Sequence, residues 1–275
     1  MCKKVAVLCF AVAISLAVMG CDPPPTCDAN LKHLTQVFNY ASSPWRTPIG
    51  STPTLHPNSA SIISHAYEVR GDAALHVQMY DWARPIFYVG SAQSKNTYIR
   101  GLVYNGKSSA GPVRWRSCIQ GAPQGDGHCV VVDEVDGCVM DLWGLNKNAG
   151  VTDPDAYNVG SLPSTDTNAM YDNPHTSSAS AAMGVSGYEG IVWPDECTST
   201  IPHAFWFCWY SDHNNNNGGW RVLPASHGDG AGTCENDFIE GMRIQLNPSY
   251  SLTGWASYQA PIGEALKTYG MYDGN

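Results

Sequence analysis

Four short motifs carry residue types suited to acid/base or sugar chemistry. In Gly125-Asp126-Gly127-His128 two glycines let the backbone approach a ligand closely, and Asp126 and His128 stand at a strand mouth. The plainer reading is a tight turn with one backbone-satisfied histidine. In Ile201-Pro202-His203-Ala204 the imidazole of His203 opens an apolar strand and needs a partner if buried. It reads equally as a core or a catalytic histidine. Ser226-His227-Gly228-Asp229-Gly230 is a polar loop with imidazole and carboxylate two residues apart, an arrangement used for general acid/base work, for metal ligation and in ordinary turns. Asp141-Leu142-Trp143 sets a carboxylate and an indole on one strand face, where the acid could take sugar hydroxyls and Trp143 stack on a sugar ring. The alternative there is a core tryptophan beside a strand-edge acid.

Other acidic groups are weaker candidates. Asp133-Glu134-Val135-Asp136 resembles the alternating acids of a retaining glucanase strand, but the expected turn falls inside it. Asp153-Pro154-Asp155 departs from calcium-loop spacing and lacks the closing glutamate, so no cofactor is expected, with calcium a possible but unsupported alternative. Ser226-His227-Gly228 resembles the start of the L,D-transpeptidase signature, yet Asp229 stands at the nucleophile position. No G-x-S-x-G elbow, GxGxxG or P-loop is present.

The elements that must hold these residues are mostly strands. The clearest is a hairpin, 128–133 and 138–143, closed by Asp136-Gly137. Alternation puts His128, Val130 and Val132 on one face and Val139, Asp141 and Trp143 on one face of the partner. Further strands are expected at 85–89, 98–104, 204–210, 220–223 and 242–246. Helical spacing is clear at 58–69 and 260–269, the latter with Pro261 in an acceptable first-turn position. Residues 43–49 read as a Pro-bounded extended segment, 179–185 as a short buried helix, and 144–180 as a long polar loop or lid. Strands with few helices and no strand-helix alternation point to a mainly β chain, a single β-sandwich or jelly-roll-like domain over 43–275.

Composition agrees. Charged residues make up 14% and hydrophobic ones 43%, with 27 Gly, 18 Pro, 14 Tyr and 9 Trp, which suits a turn-rich, aromatic-rich β protein rather than a helical bundle or a disordered chain. A net charge of −9 excludes a broad basic surface for nucleic acid.

The first 20 residues read as an address. Lys3 and Lys4 precede an apolar stretch of 15 residues, 5–19, too short to span a bilayer and suited to a secretory signal. Val18-Met19-Gly20-Cys21 resembles a bacterial lipobox, which implies lipidation of Cys21 and a membrane-anchored lipoprotein in the periplasm or on the cell surface. The alternative is ordinary cleavage nearby with Cys21 as a spare thiol. Removing 1–20 takes away two lysines and no acid, moving the net charge from −9 to −11. Residues 21–42, with Pro23-Pro24-Pro25, form a tether and N-terminal segment. Beyond Cys21 seven cysteines remain, Cys27, Cys118, Cys129, Cys138, Cys197, Cys208 and Cys234, and an oxidising compartment makes up to three disulfides the expectation.

Several segments together resemble a family of exported bacterial β-rich proteins. The shared pattern runs from Ser43-Pro44-Trp45 with Thr47-Pro48-Ile49 to Asp126-Gly127-His128 and a valine run ending at Asp133, then Asp141 and Trp143. It continues through Pro202-His203-Ala204, Pro224-Ala225 with His227, Asp229 and Gly230, and Glu240-Gly241 with Arg243, Leu246 and Pro248, and closes on Leu266 with Tyr269-Gly270. It covers nearly all of 43–270. The resemblance implies a secreted β-rich domain of the kind often suspected of acting on polysaccharide.

The combined expectation is a lipid-anchored extracytoplasmic enzyme that cleaves polysaccharide, with Asp126, His128, Asp141, His203, His227 and Asp229 as catalytic candidates and Trp143 and Arg221 binding substrate. As a glycoside hydrolase it would use two carboxylates, Asp126 with Asp141 or Asp229. As a polysaccharide lyase it would use a histidine or tyrosine base, with Arg221 neutralising a uronate. The first alternative is a non-catalytic surface lipoprotein that captures glycan or protein. A further one is a cell-wall peptidase or amidase, whose metal would need His128, His203 and His227 to converge.

Overall fold

The computed structural model describes residues 43–70, 84–101, 110–123, 125, 127–136, 138–145, 155–156, 158–163, 183–209, 221–225, 228, 230 and 232–274. The described elements are mainly strands, grouped in three small sheets, with two α-helices.

The first sheet has the order β1-β4-β5-β7, formed by Ile86–Val89, Cys129–Asp133, Cys138–Trp143 and Asn158–Pro163. β1 runs parallel to β4, and the other two pairings are antiparallel. The β4–β5 hairpin has the expected register, with Asp133 opposite Cys138 and Val130 opposite Asp141. All five residues of β4 are buried, so both faces are covered, which is why it reads as an unbroken Cys-Val-Val-Val run. The acidic cluster after it is a turn device. Asp133 Oδ1 accepts the N–H groups of Val135 and Asp136, and the same carboxylate takes Arg114 Nη1 at 3.0 Å.

The second sheet, β8-β10-β9, comprises Phe205–Phe207, Met271–Asp273 and Arg243–Ile244, with β10 parallel to β8 and antiparallel to β9. The third, β3-β2-β6, comprises Ala110–Arg114, Lys95–Gly101 and Asp155–Ala156. Helix α1 is Ser59–Arg70 and α2 is Ala260–Thr268. α2 buries Ile262, Ala265 and Leu266 at helical spacing against Ile201 and Phe205. It stops at Gly270, whose φ of 68° is left-handed and where a Cβ would stand 2.2 Å from the Ile244 carbonyl.

One core joins the first two sheets. Val130, Val132 and Val139 pack with Tyr272 of β10, Trp45, Tyr188, Trp193 and Ala204. The other face of β4 and β5 buries Val131, Met140 and Leu142 against Val89, Ile99 and Leu145. A smaller cluster sets Ile62 of α1 against Trp209 and Phe238.

Several expected elements differ. Residues 43–49 are not simply extended: Pro44–Arg46 form a 3-10 turn in which Ser43 Oγ accepts the Trp45 N–H. That turn drives Trp45 fully into the core, 4.9 Å edge-on from Tyr272, which overrides the extended bias of the prolines. The expected loop 144–180 contains β6 and β7, and β7 pairs along all of β5. Its Asn-Val-Gly-Ser-Leu-Pro sequence lacks β alternation, and the cross-strand pairing supplies the order instead. In the expected helix 179–185 the described residues, 183–185, are buried turn, with Gly184 at a left-handed φ of 75° that a helix cannot hold. At 220–223 the described residues make a single bridge, Arg221 to Glu240. Strands β3 and β10 were not expected, each being short and rich in weak strand formers or placed after a helix.

Candidate functional site

The segment 183–203 lies against the first sheet and gathers its buried polar groups. Asp141 occupies the middle of β5 with no exposed surface. Its Oδ1 accepts the Gly187 N–H at 2.9 Å, while Oδ2 is buried with no hydrogen-bond partner among the described residues. Burial pushes the Asp141 carboxyl up to about 6; the Ser186 hydroxyl, the Arg84 charge and the Gly187 N–H oppose that rise without cancelling it. A carboxyl shifted upward in this way has moved in the direction a general acid requires.

Arg84, just ahead of β1, reaches the same place. Its guanidinium carbon lies 3.9 Å from the centroid of the Trp206 ring, a cation–π contact. Gly187 is fitted between the charged groups. A Cβ there would stand 2.8 Å from Arg84 Cδ and Nη1 and 3.2 Å from Asp141 Oδ1, so the close approach requires glycine.

Tyrosines and a histidine–carboxylate pair extend the layer. The Tyr88 and Tyr188 hydroxyls are hydrogen-bonded at 2.9 Å, and burial raises both phenols above the ordinary range. Tyr188 packs 5.6 Å from Trp193, whose backbone N–H donates to Glu196 Oε2 at 2.9 Å. The same Oε2 lies 3.3 Å from His203 Nε2. His203 Nδ1 faces the Ala204 carbonyl at 2.8 Å, which only accepts, so this nitrogen carries the hydrogen. Both ring nitrogens are thus engaged, and His203 is 1% exposed. Tyr88, Arg84 and Trp206 are half-buried and form the rim of this layer.

The residues singled out in the sequence fall into three groups. Asp141 and His203 join the layer through Gly187 and Glu196. His128 is buried just ahead of β4, its carbonyl accepting the Ala122 N–H, with Gly125 and Gly127 at φ of 63° and 65° in the turn before it. Trp143 is half-buried at the end of β5, and Arg221 is half-buried at its bridge to Glu240. Asp126, His227, Asp229 and Cys21 lie outside the described residues. The three-histidine metal centre gains no support at His203, whose nitrogens are already taken.

Sequence reasoning missed Arg84, Tyr88, Ser186, Tyr188 and Glu196. The signals available were Arg84-Pro85 opening a strand and the Gly-rich, aromatic run 184–193; neither spacing marks a site until the segment packs on the sheet. Of the seven cysteines expected to bridge, Cys118, Cys129, Cys197 and Cys234 are free thiols among the described residues, and Cys27 lies outside them. Among the described residues no helix is long and apolar enough to cross a membrane.

Fold and site together define a mainly β chain with an acid-bearing polar layer buried beneath an aromatic rim. Compared with known proteins, the chain matches no family model, no curated protein and no solved structure.

Proposed function

We propose that the chain is a lipid-anchored extracytoplasmic enzyme that cleaves polysaccharide, with Asp141 as its proton donor. The observation that carries this reading is the raised Asp141 carboxyl, held by Gly187 beside Arg84 and an aromatic rim. Glycan approaches from the half-buried Arg84 and Trp206 side. There the Arg84 guanidinium, stacked on the Trp206 ring, suits a uronate or a hydroxyl cluster. Asp126 or Asp229 supplies the second carboxylate of a hydrolase, and Tyr88 is the base candidate of a lyase. In this reading residues 1–20 direct export and Cys21 carries the lipid, and the net charge of −9 argues against a nucleic-acid partner. The first and second sheets, sharing one core, are read as the two layers of a sandwich-like domain.

A second reading, a non-catalytic glycan- or protein-binding lipoprotein, is favoured by the burial of Asp141 and His203 at 0% and 1% exposure. One experiment separates the two. The purified protein is incubated with neutral and uronate polysaccharides, reading new reducing ends and the ultraviolet absorbance of unsaturated ends. Reducing ends alone support a hydrolase, and absorbance supports a lyase. Retention of a polysaccharide on immobilised protein without any cleavage replaces the enzyme reading with the binding one.

A further inference from the structure

Away from the Asp141 layer, His65, Cys234 and Asp237 bring an imidazole, a thiol and a carboxylate together. One ligand atom from each lies within 4.8 Å of the other two. This is the donor set of a borderline-soft divalent ion, and zinc takes nitrogen, sulfur and oxygen at about 2.0–2.3 Å. Drawing the three donors around one ion needs a contraction of only about 1 Å, because ligands of a tetrahedral zinc stand roughly 3.3–3.8 Å apart by those bond lengths.

The surrounding chain is already arranged for it. The Asp237 N–H donates to the Cys234 carbonyl at 3.0 Å, and Asp237 Oδ2 accepts the Cys234 N–H at 3.3 Å. This turn puts the cysteine and aspartate side by side before any third group arrives. His65 then enters from α1, with Nε2 3.0 Å from Asp237 Oδ1, 172 residues away in sequence. Phe238, Trp209 and Ile62 pack behind as an apolar wall. Asp237 is 4% exposed, whereas His65 and Cys234 are half-buried and reachable.

We propose that His65, Cys234 and Asp237 form a zinc site with three protein ligands and an open fourth position. The thiol loses its proton to solvent as the zinc–sulfur bond forms, and the thiolate and carboxylate together balance the dication. The ion clips α1 to the 234–238 turn, and its open position is available to water or a ligand. This inference does not depend on the glycan reading.

The test uses the full protein, reduced, stripped of metal and titrated with cobalt(II) as a spectroscopic stand-in for zinc. The expected result is one equivalent bound with a cobalt–thiolate charge-transfer band that zinc displaces. Cys234→Ser removes that band, and His65→Gln weakens binding by at least about 10-fold. Cys234 is half-buried and serine nearly isosteric, so this variant keeps the fold, which an unchanged circular dichroism spectrum verifies. Absence of a stoichiometric thiolate band in the folded wild type, or its persistence in Cys234→Ser, would overturn the proposal.

Discussion

Asp141 shows how one buried residue ties stability to pH. Its folded carboxyl titrates at about 6, against 3.8 for an unperturbed aspartate. Between those values the folded state holds the proton more tightly than the unfolded state. Stability is therefore greatest below the unfolded value and falls as pH rises through about 6, by up to about 3 kcal/mol. Asp141→Asn removes the ionisation, so its unfolding free energy is expected to stay flat over that interval; urea titrations at several pH values check this. A variant that declines as steeply as wild type assigns the pH dependence to another group. His203 behaves differently, since its loss removes the imidazole from the buried Glu196 carboxylate and leaves Oε2 with the Trp193 N–H. His203→Ala is expected to cost about 3 kcal/mol, read as a lower denaturation midpoint, and a change within 0.5 kcal/mol, the usual range of a surface substitution at roughly that size, would deny the pair a structural role.

At the scale of elements, the hairpin depends on one turn and the polar layer on one glycine. Asp133→Asn keeps an oxygen for the Val135 and Asp136 N–H groups but loses the charge facing Arg114, while Asp133→Ala loses both. The alanine variant is expected to be the less stable of the two, by about 1–2 kcal/mol, and equal stabilities would mean the turn bonds contribute nothing. Gly187→Ala drives a methyl into Arg84 and Asp141 and is expected to cost about 1–3 kcal/mol, with Arg84 leaving the Trp206 face; quenching of tryptophan fluorescence reports that departure. The β4–β5 hairpin, α1 and α2 were legible because Asp-Gly, a valine run and helical spacing are local signals. β7 was not, because its order comes from pairing with β5. Asp141 and His203 stood out by type, yet Arg84, Tyr88 and Glu196 became neighbours only through packing of 183–203.

For the whole molecule, export and thiol chemistry give contrasting expectations. An exported chain with seven cysteines beyond Cys21 was expected to form up to three bridges, whereas Cys118, Cys129, Cys197 and Cys234 are free thiols among the described residues and sit in unlike surroundings. Cys234 is half-buried, and burial pushes the Cys129 thiol well up, so alkylation of native protein is expected to label Cys234 before Cys129 and to spare Cys129 until unfolding. Peptide mapping showing the reverse order would contradict this placement. The central claim is that the layer beneath the Arg84–Trp206 rim does the chemistry on glycan. Its most direct test compares wild type and Asp141→Asn on a polysaccharide panel, measuring turnover and thermal stability together at neutral pH. The expected result is cleavage by wild type and a loss of at least about 100-fold in the variant, with its melting temperature held or raised. Unchanged turnover in the variant, or no cleavage by folded wild type, would contradict the account.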